Sequence, residues 1–399
     1  MKRLSEKARN AIYIGTLCSV AYFAVYIARN VLSAVTPQMI EEGYTEEYIG
    51  YISSLFFAFY AVGQLINGAI GDKIRAKWMI CIGLFGAGVT NTVFIFISRS
   101  ETSASIIYGL MGFFLSMIYG PMTKVVSENT EQLHAVRCSL GYTFSSFFGT
   151  PAAGFLATFL TWQSVFGVSS TALFLMAISG FIFFTILEKK KIVQYGLYEK
   201  KEIKTQGVKV LFKRSIIKFS LVSILTGVVR TSVVFWLPTY IAQHLNFSSS
   251  DSAAIYTAAS LVISLTAFIT VFAYEKIFRY SMNLTLIASF ALSAIAFVLT
   301  YLINAPVFNI IFIVIAIMAA NGASTMLWSI YCPSLYDTGM VSMATGFLDF
   351  LSYMAAALAT NIFANAVDSI GWGNLILVWM GLMAIGTVIS IPIARKQKT

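Results

Sequence analysis

Three ionisable side chains lie inside otherwise apolar stretches of this 399-residue sequence: Arg29, Arg230 and Asp349. A charge at the centre of a membrane helix costs about 3 kcal/mol even on the mildest scale, so each is a candidate for function. A guanidinium stays protonated and offers a planar fork of donors that matches phosphate or carboxylate oxygens. Two arginines can therefore bind one anion together. The aspartate can bind a substrate hydroxyl or amine, carry a proton, or neutralise one arginine.

These three residues are predicted to share a depth in the membrane. Each lies twelve residues from a charged residue at the end of its stretch, namely Glu41, Lys218 and Asp337 respectively. At 1.5 Å per residue, twelve residues of helix span about 18 Å, close to the middle of a hydrocarbon layer about 30 Å thick.

Helical spacing predicts which polar side chains accompany them. Residues at i, i+4 and i+7 share one face of a helix. The expected substrate-binding set follows this spacing in three stretches, with Tyr22, Tyr26 and Arg29 in the first, Tyr60 and Gln64 in the second, and Asp349 and Tyr353 in the eleventh. Arg230 completes the set from a fourth, the seventh stretch. Polar residues that share one face of an apolar helix form a polar stripe. Such a stripe either lines a water-filled cavity or hydrogen-bonds to neighbouring helices. For the arginines we expect a cavity.

The composition identifies the elements that must position these residues. The chain is 58% hydrophobic and 11% charged, which excludes a water-soluble globular protein. Twelve apolar stretches of about the length of a bilayer crossing are predicted, near residues 11–40, 49–71, 78–98, 104–126, 138–160, 164–187, 216–243, 252–274, 282–303, 307–331, 340–366 and 372–393. The sequence therefore predicts an all-α protein of twelve transmembrane helices.

The net charge of +10 reflects orientation in the membrane. The basic residues fall almost entirely in the N-terminus, in alternate loops and in the C-terminus, as expected of cytoplasmic segments. We therefore expect a multi-pass protein of the plasma (inner) membrane with both termini in the cytoplasm, a lipid bilayer as its surroundings and no nucleic-acid partner.

The chain is predicted to fold as two six-helix halves, 1–187 and 216–399, joined by a basic cytoplasmic linker, 188–215. Arg29 precedes Pro37 by eight residues, and Arg230 precedes Pro238 by eight. Each pair precedes a polar loop whose hydroxyls, Thr45 and Ser248 to Ser250, can cap the next helix. Two such halves are the organisation of major facilitator transporters, which this sequence resembles.

The loop Gly68-Ala-Ile-Gly-Asp-Lys-Ile-Arg-Ala-Lys77 resembles that superfamily's signature between its second and third spans, although the second glycine of the signature is missing. Glycine permits close helix approach, the acid can hold a helix end or a cation, and the basic residues hold the cytoplasmic face. The resemblance implies conformational or gating roles for Gly68, Asp72, Lys73 and Lys77.

Three further motifs resemble the organophosphate:phosphate antiporter family. They are Tyr22-x-x-x-Tyr26-Ile-Ala-Arg29, Val-Val-Arg230 followed by Trp236-Leu-Pro238-Thr-Tyr240, and Ala344-Thr-Gly-Phe347 followed by Tyr353. The resemblance implies that Arg29 and Arg230 are paired phosphate-binding arginines, with the tyrosines around the pocket. It also implies exchange of a phosphorylated metabolite for inorganic phosphate, by rocking of the two halves.

Departures from this family leave alternatives open. Gln64 stands where the glycerol-3-phosphate carriers have a basic residue, and Asp349 is an addition. One alternative is a proton-coupled symporter of a carboxylate or zwitterion that uses Asp349. Another is a membrane sensor of a phosphorylated metabolite that does not transport. The two histidines have no nucleophile or metal-ligand cluster beside them, so we expect no enzyme activity, no cofactor and no bound metal. We expect a monomer.

Overall fold

The computed structural model describes residues 5–71, 74–195, 209–338 and 341–392. Contacts group the chain into two compact units, residues 1–202 with 247–261, and residues 203–246 with 262–399. The predicted linker includes residues 196–208, which lie outside the described part. The division into halves at that linker stays a prediction.

The first unit is built from seven helices in its described residues. They are α1 Glu6–Glu41, α2 Glu46–Gly71, α3 Ala76–Ile97, α4 Glu101–Ser116, α5 Tyr119–Asn129, α6 Gln132–Phe159 and α7 Trp162–Lys189. Helix α1 packs on α6, α2 on α4, and α3 on α7. The first thirteen residues of the later helix α11 also belong to this unit.

The second unit also consists of helices and short loops in its described residues, but two of its helices contain a wider π-helical turn. Its elements are α8 Lys209–Lys213, α9 Ile216–Gly227, a π-helix Val228–Val233, α10 Val234–Gln243, the last three residues of α11 Ser249–Ser264, α12 Thr266–Lys276, α13 Met282–Leu302, α14 Pro306–Met326, a second π-helix Leu327–Tyr331, a 3₁₀-helix Pro333–Thr338 and α15 Val341–Ser390. The described residues of the chain contain no strand.

Two predicted helix starts are confirmed by hydrogen bonds. The backbone N–H of Tyr48 donates to Thr45 Oγ1 over 3.2 Å, and that of Asp251 donates to Ser248 Oγ over 3.1 Å. A hydroxyl at this position satisfies one of the backbone donors that a helix leaves unpaired at its first turn.

Ten helical stretches among the described residues are long and apolar enough to cross a membrane, and the last of them is 48 residues long. Gly371 interrupts that stretch with a φ of +74°, a left-handed conformation that only glycine adopts at low cost. One helix therefore ends and another begins there, as predicted for the stretches 340–366 and 372–393. Each predicted stretch coincides with described helix within a few residues at its ends. The predicted all-α membrane class is confirmed.

Candidate functional site

Arg29 lies against two tyrosine rings within the first unit. Its Cζ is 5.0 Å from the ring centroid of Tyr60 on α2 and 6.0 Å from that of Tyr26, one turn earlier on α1. Tyr60 is buried, whereas Arg29 is only half-buried. Aromatic faces attract a guanidinium electrostatically without neutralising its charge. The donors of a guanidinium lie at the edge of its plane.

A cluster of tyrosines continues from this arginine along α1. The ring of Tyr22 is 5.0 Å from that of Tyr26, 5.4 Å from that of Tyr119 and 6.2 Å from that of Tyr142. Sequence reasoning included Tyr22 and Tyr26 but missed Tyr119 and Tyr142. Tyr119 begins α5 and is followed in the sequence by Gly120 and Pro121, a pair that typically marks a break in a helix and was the available signal. Gln64 lies one turn beyond Tyr60 on α2 and is half-buried.

Arg230 has the same kind of environment within the second unit. Its Cζ is 5.5 Å from the ring centroid of Tyr353 and 5.9 Å from that of Trp328, and its Nη2 donates to Ser352 Oγ over 3.4 Å. Arg230 is half-buried, and so is Asp349, one turn before Tyr353 on α15. The structure thus brings together the predicted Arg230 and Tyr353. Trp328 was not predicted, because nothing in an apolar stretch distinguishes it from a packing residue.

A ladder of contacts between the helix that carries Arg230 and α15 explains how this arginine is positioned. Ser223 Oγ donates to the Leu348 carbonyl, Ser232 Oγ to the Ala356 carbonyl, and Trp236 Nε1 to the Thr360 carbonyl, at 2.6, 2.8 and 3.1 Å. Between the first two of these bonds, Gly227 packs directly against the Ser352 backbone.

The ladder has uneven spacing on the side of Arg230. The contacting residues on α15 are four positions apart throughout, namely Leu348, Ser352, Ala356 and Thr360. On the helix that carries Arg230, the contacting residues Gly227 and Ser232 are five positions apart. The wider step coincides with the π-helix Val228–Val233. A π-helical turn takes one residue more than an α-helical turn, and such turns are frequent at functional sites. The extra residue keeps both flanks in register with α15, with Arg230 in the wider turn between them.

Substituting Gly227 by alanine tests this close packing. An added Cβ would lie 2.5 Å from both the carbonyl oxygen and Oγ of Ser352, so α9 and α15 would have to separate. We expect a loss of about 1–3 kcal/mol in stability, the usual cost of overpacking, together with reduced activity because Ser352 bonds to Arg230. Thermal unfolding in detergent measures the first effect. The matched control is Gly167→Ala in α7, where a Cβ meets no atom within 4 Å and helix propensity favours alanine.

Two further polar residues continue the same helical spacing, Asn67 after Tyr60 and Gln64 on α2 and Thr360 after Tyr353 on α15, and both bond to neighbouring helices. Asn67 is buried and its Nδ2 donates to Ser116 Oγ on α4 over 2.7 Å. Thr360 Oγ1 donates to Ser232 Oγ over 2.8 Å. These side chains stabilise helix packing within each unit.

The structure describes only part of the predicted gating set. Asp72 and Lys73 lie outside the described residues. Lys77 is buried, and its Nζ lies 2.6 Å from Glu188 Oε2, so that it joins α3 to the end of α7. A Cβ on Gly68 would meet no described atom within 4 Å. On the same helix a close approach occurs at Gly63, where a Cβ would overlap Ser116. The gating roles remain predictions.

Comparisons with known proteins agree with this architecture. Residues 18–360 match the profile described as Major Facilitator Superfamily. The chain is 22% identical to the glycerol-3-phosphate transporter of Bacillus subtilis (strain 168), in an alignment that covers 95% of this chain and 91% of the relative. It is 23% identical to the membrane sensor protein UhpC of Escherichia coli (strain K12), over 94% of this chain and 90% of the relative.

A solved structure with a similar fold is that of a bacterial homolog of the human lysosomal transporter Spinster, in an inward-facing and occupied conformation. It matches with a TM-score of 0.75 and 12% identity, and the alignment covers 97% of each chain. These findings confirm the resemblance inferred from the sequence motifs and the predicted fold. They also agree with the expectation that the protein is not an enzyme, since its relatives are membrane transport proteins and a membrane sensor. The profile spans most of the sequence, and the chain therefore belongs to the Major Facilitator Superfamily.

Proposed function

We propose that this protein is a secondary active transporter that exchanges an organophosphate for inorganic phosphate, with the anion held between Arg29 and Arg230. The observation that carries the proposal is that each unit holds one half-buried arginine against aromatic rings of its own helices. The similarity to a glycerol-3-phosphate transporter over almost the whole chain supports a phosphorylated substrate.

The charge of such a site accounts for exchange rather than one-way flow. Two guanidinium groups in a poorly solvated chamber repel each other and lose hydration, which makes the empty carrier costly to close. A bound phosphate or phosphate ester removes most of this cost through charge-assisted, bidentate hydrogen bonds. The loaded carrier therefore changes conformation more readily than the empty one, and each anion that leaves is replaced by another.

A sensor that binds the same ligand without transporting it is the second candidate, favoured by the similarity to UhpC over 94% of this chain. Both candidates require the arginine pair for binding. They differ in whether ligand crosses the membrane.

Transport by the purified protein in vesicles distinguishes these functions. We expect labelled phosphate to enter proteoliposomes that contain unlabelled phosphate, and glycerol-3-phosphate or a sugar phosphate in the external buffer to compete with it. Proteoliposomes that contain no internal phosphate should take up far less labelled phosphate. Ligand binding with negligible uptake would identify a sensor instead.

Asp349→Asn in the same vesicles tests the role of the additional acid. In an antiporter that uses the arginine pair alone, we expect phosphate exchange to persist in this variant and to respond little to an imposed pH gradient. Uptake that is driven by a pH gradient, is not stimulated by internal phosphate and is lost in Asp349→Asn would establish proton-coupled symport.

A further inference from the structure

A groove of about 630 Å³ runs along the surface of the first unit between α1 and α7. Leu17 and Val20 line it from α1, and Met176 and Phe183 line it from α7. Val20 and Phe183 are exposed, as expected of side chains that face lipid. One end of the groove differs from the rest, because Lys190 lines it there.

The C-terminal cap of α7 forms the end of the groove that Lys190 lines. The backbone N–H of Lys191 donates to the Glu188 carbonyl over 2.9 Å, and that of Ile192 donates to the Leu187 carbonyl over 2.9 Å. These two bonds form a Schellman motif, which reverses the chain at a residue in the left-handed conformation. Ile192 is thereby folded back beside Leu187, and both line the groove.

The left-handed residue of this motif is Lys191, with a φ of +55°. Glycine is the usual residue at this position because a Cβ is disfavoured there. The chain instead carries three consecutive lysines, Lys189, Lys190 and Lys191, all of them exposed. Lys190 therefore lines the end of the groove with an exposed lysine on either side of it in the chain.

The length of the groove matches one leaflet of a bilayer. Along α7, the stretch from Met176 to Lys190 is roughly 21 Å long at 1.5 Å per residue. Half of a hydrocarbon core is about 15 Å deep. An acyl chain that starts beside Lys190 can therefore lie in the groove for its whole depth within the leaflet.

A second groove on the same helix provides a comparison. It has about 590 Å³, lies against the opposite side of α7 and is lined by Trp78, Phe85, Ile178 and Phe181 among others. None of its lining residues carries a charge. Apolar shape is thus common to both grooves, but of the two only the first has a lysine among its lining residues. Lys77 lies near Trp78 and Phe181 of the second groove, but it is buried and paired with Glu188.

We propose that the groove between α1 and α7 binds an anionic glycerophospholipid, with an acyl chain along Leu17, Val20 and Phe183 and the headgroup phosphate at Lys189, Lys190 and Lys191. Basic clusters at the inner end of membrane helices attract anionic headgroups, which are concentrated in the cytoplasmic leaflet. The predicted orientation places this end of α7 on that side. The site is independent of the transported substrate.

Native mass spectrometry of the full-length protein, titrated with phosphatidylglycerol or phosphatidylcholine, tests this proposal. The wild type should bind one phosphatidylglycerol more tightly than phosphatidylcholine. Lys190→Ala should weaken phosphatidylglycerol binding about fivefold, the effect of about 1 kcal/mol for one basic residue near an anionic surface. Lys190→Arg should restore it, and phosphatidylcholine binding should be the same in all three proteins.

Tryptophan variants that fill one groove or the other distinguish a specific lipid site from nonspecific lipid adsorption. Ser179→Trp places a large ring in the cationic groove and should abolish the tight phosphatidylglycerol adduct, whereas Ile178→Trp, which fills the uncharged groove, should leave it intact. Val20→Trp fills the cationic groove from α1 and replaces Ser179→Trp if that variant fails to fold. Equal affinity of the wild type for both lipids, or equal loss in the variants of the two grooves, would overturn the proposal.

Discussion

Replacing Arg29 or Arg230 by lysine is expected to reduce phosphate exchange about tenfold to a hundredfold while the protein still folds and inserts. A lysine keeps the charge, but its ammonium group cannot form the two parallel hydrogen bonds that a guanidinium forms with phosphate. A hydrogen bond to a charged group contributes about 1.5–3 kcal/mol, which corresponds to this range of rates. The lysine would also lose the contact of the guanidinium with the ring of Tyr60 in one variant, or with the rings of Trp328 and Tyr353 in the other.

The chain offers a matched control for this experiment in Arg99. Its Cζ lies 4.0 Å from the ring centroid of Tyr44 and its Nη2 donates to the Glu42 carbonyl over 2.9 Å, but it lies at a helix end and outside the proposed site. Arg99→Lys therefore loses a comparable aromatic contact and should retain exchange. Equal rates in the wild type and in both site variants would refute the proposal that Arg29 and Arg230 together hold the anion.

Lys77→Met should produce the largest loss of stability among the variants considered. The substitution leaves the Glu188 carboxylate without its cation at a position where its side chain is only 21% exposed. Breaking a buried ion pair on one side costs about 3–5 kcal/mol, and the remaining exposure of Glu188 favours the lower end of that range. A clear fall in the melting temperature of the purified protein would show this effect.

The double variant Lys77→Met with Glu188→Leu distinguishes an unpaired charge from lost packing. Replacing both partners by apolar residues removes the buried charge, so most of the stability should return. The rings of Trp78 and Phe181, which lie 5.6 and 5.1 Å from Lys77 Nζ, provide an apolar surface for the methionine. A double variant as unstable as Lys77→Met would mean that the lysine acts through something other than this pair.

Hydropathy was sufficient to predict the helices, because a backbone in hydrocarbon must satisfy its polar groups within its own segment. It also identified Arg29, Arg230 and Asp349, since a charge stands out in an apolar stretch. The same signal cannot find Trp328, which is itself apolar. It cannot find a π-helical turn either, because one extra residue changes the register of a helix without changing its composition.

Polar stripes were less informative than charges. Tyr60 lies against Arg29, whereas Asn67, which shares its face of α2 by helical spacing, bonds to α4. Spacing defines a face of a helix but not what lies opposite that face. The pairing of Lys77 with Glu188 could not be predicted for a similar reason, since the two residues are 111 positions apart in the chain.

The single residue Gly371 has a practical consequence for studies of membrane sidedness. Because the last two predicted crossings are joined by this one non-helical position, that end of the hairpin offers no loop into which an epitope or a protease site fits. An inserted tag there would have to continue one of the helices or unwind it. Reporters of orientation are better placed after α10, where Asn246 already adopts a positive φ of 59° and the next helix does not begin until Ser249.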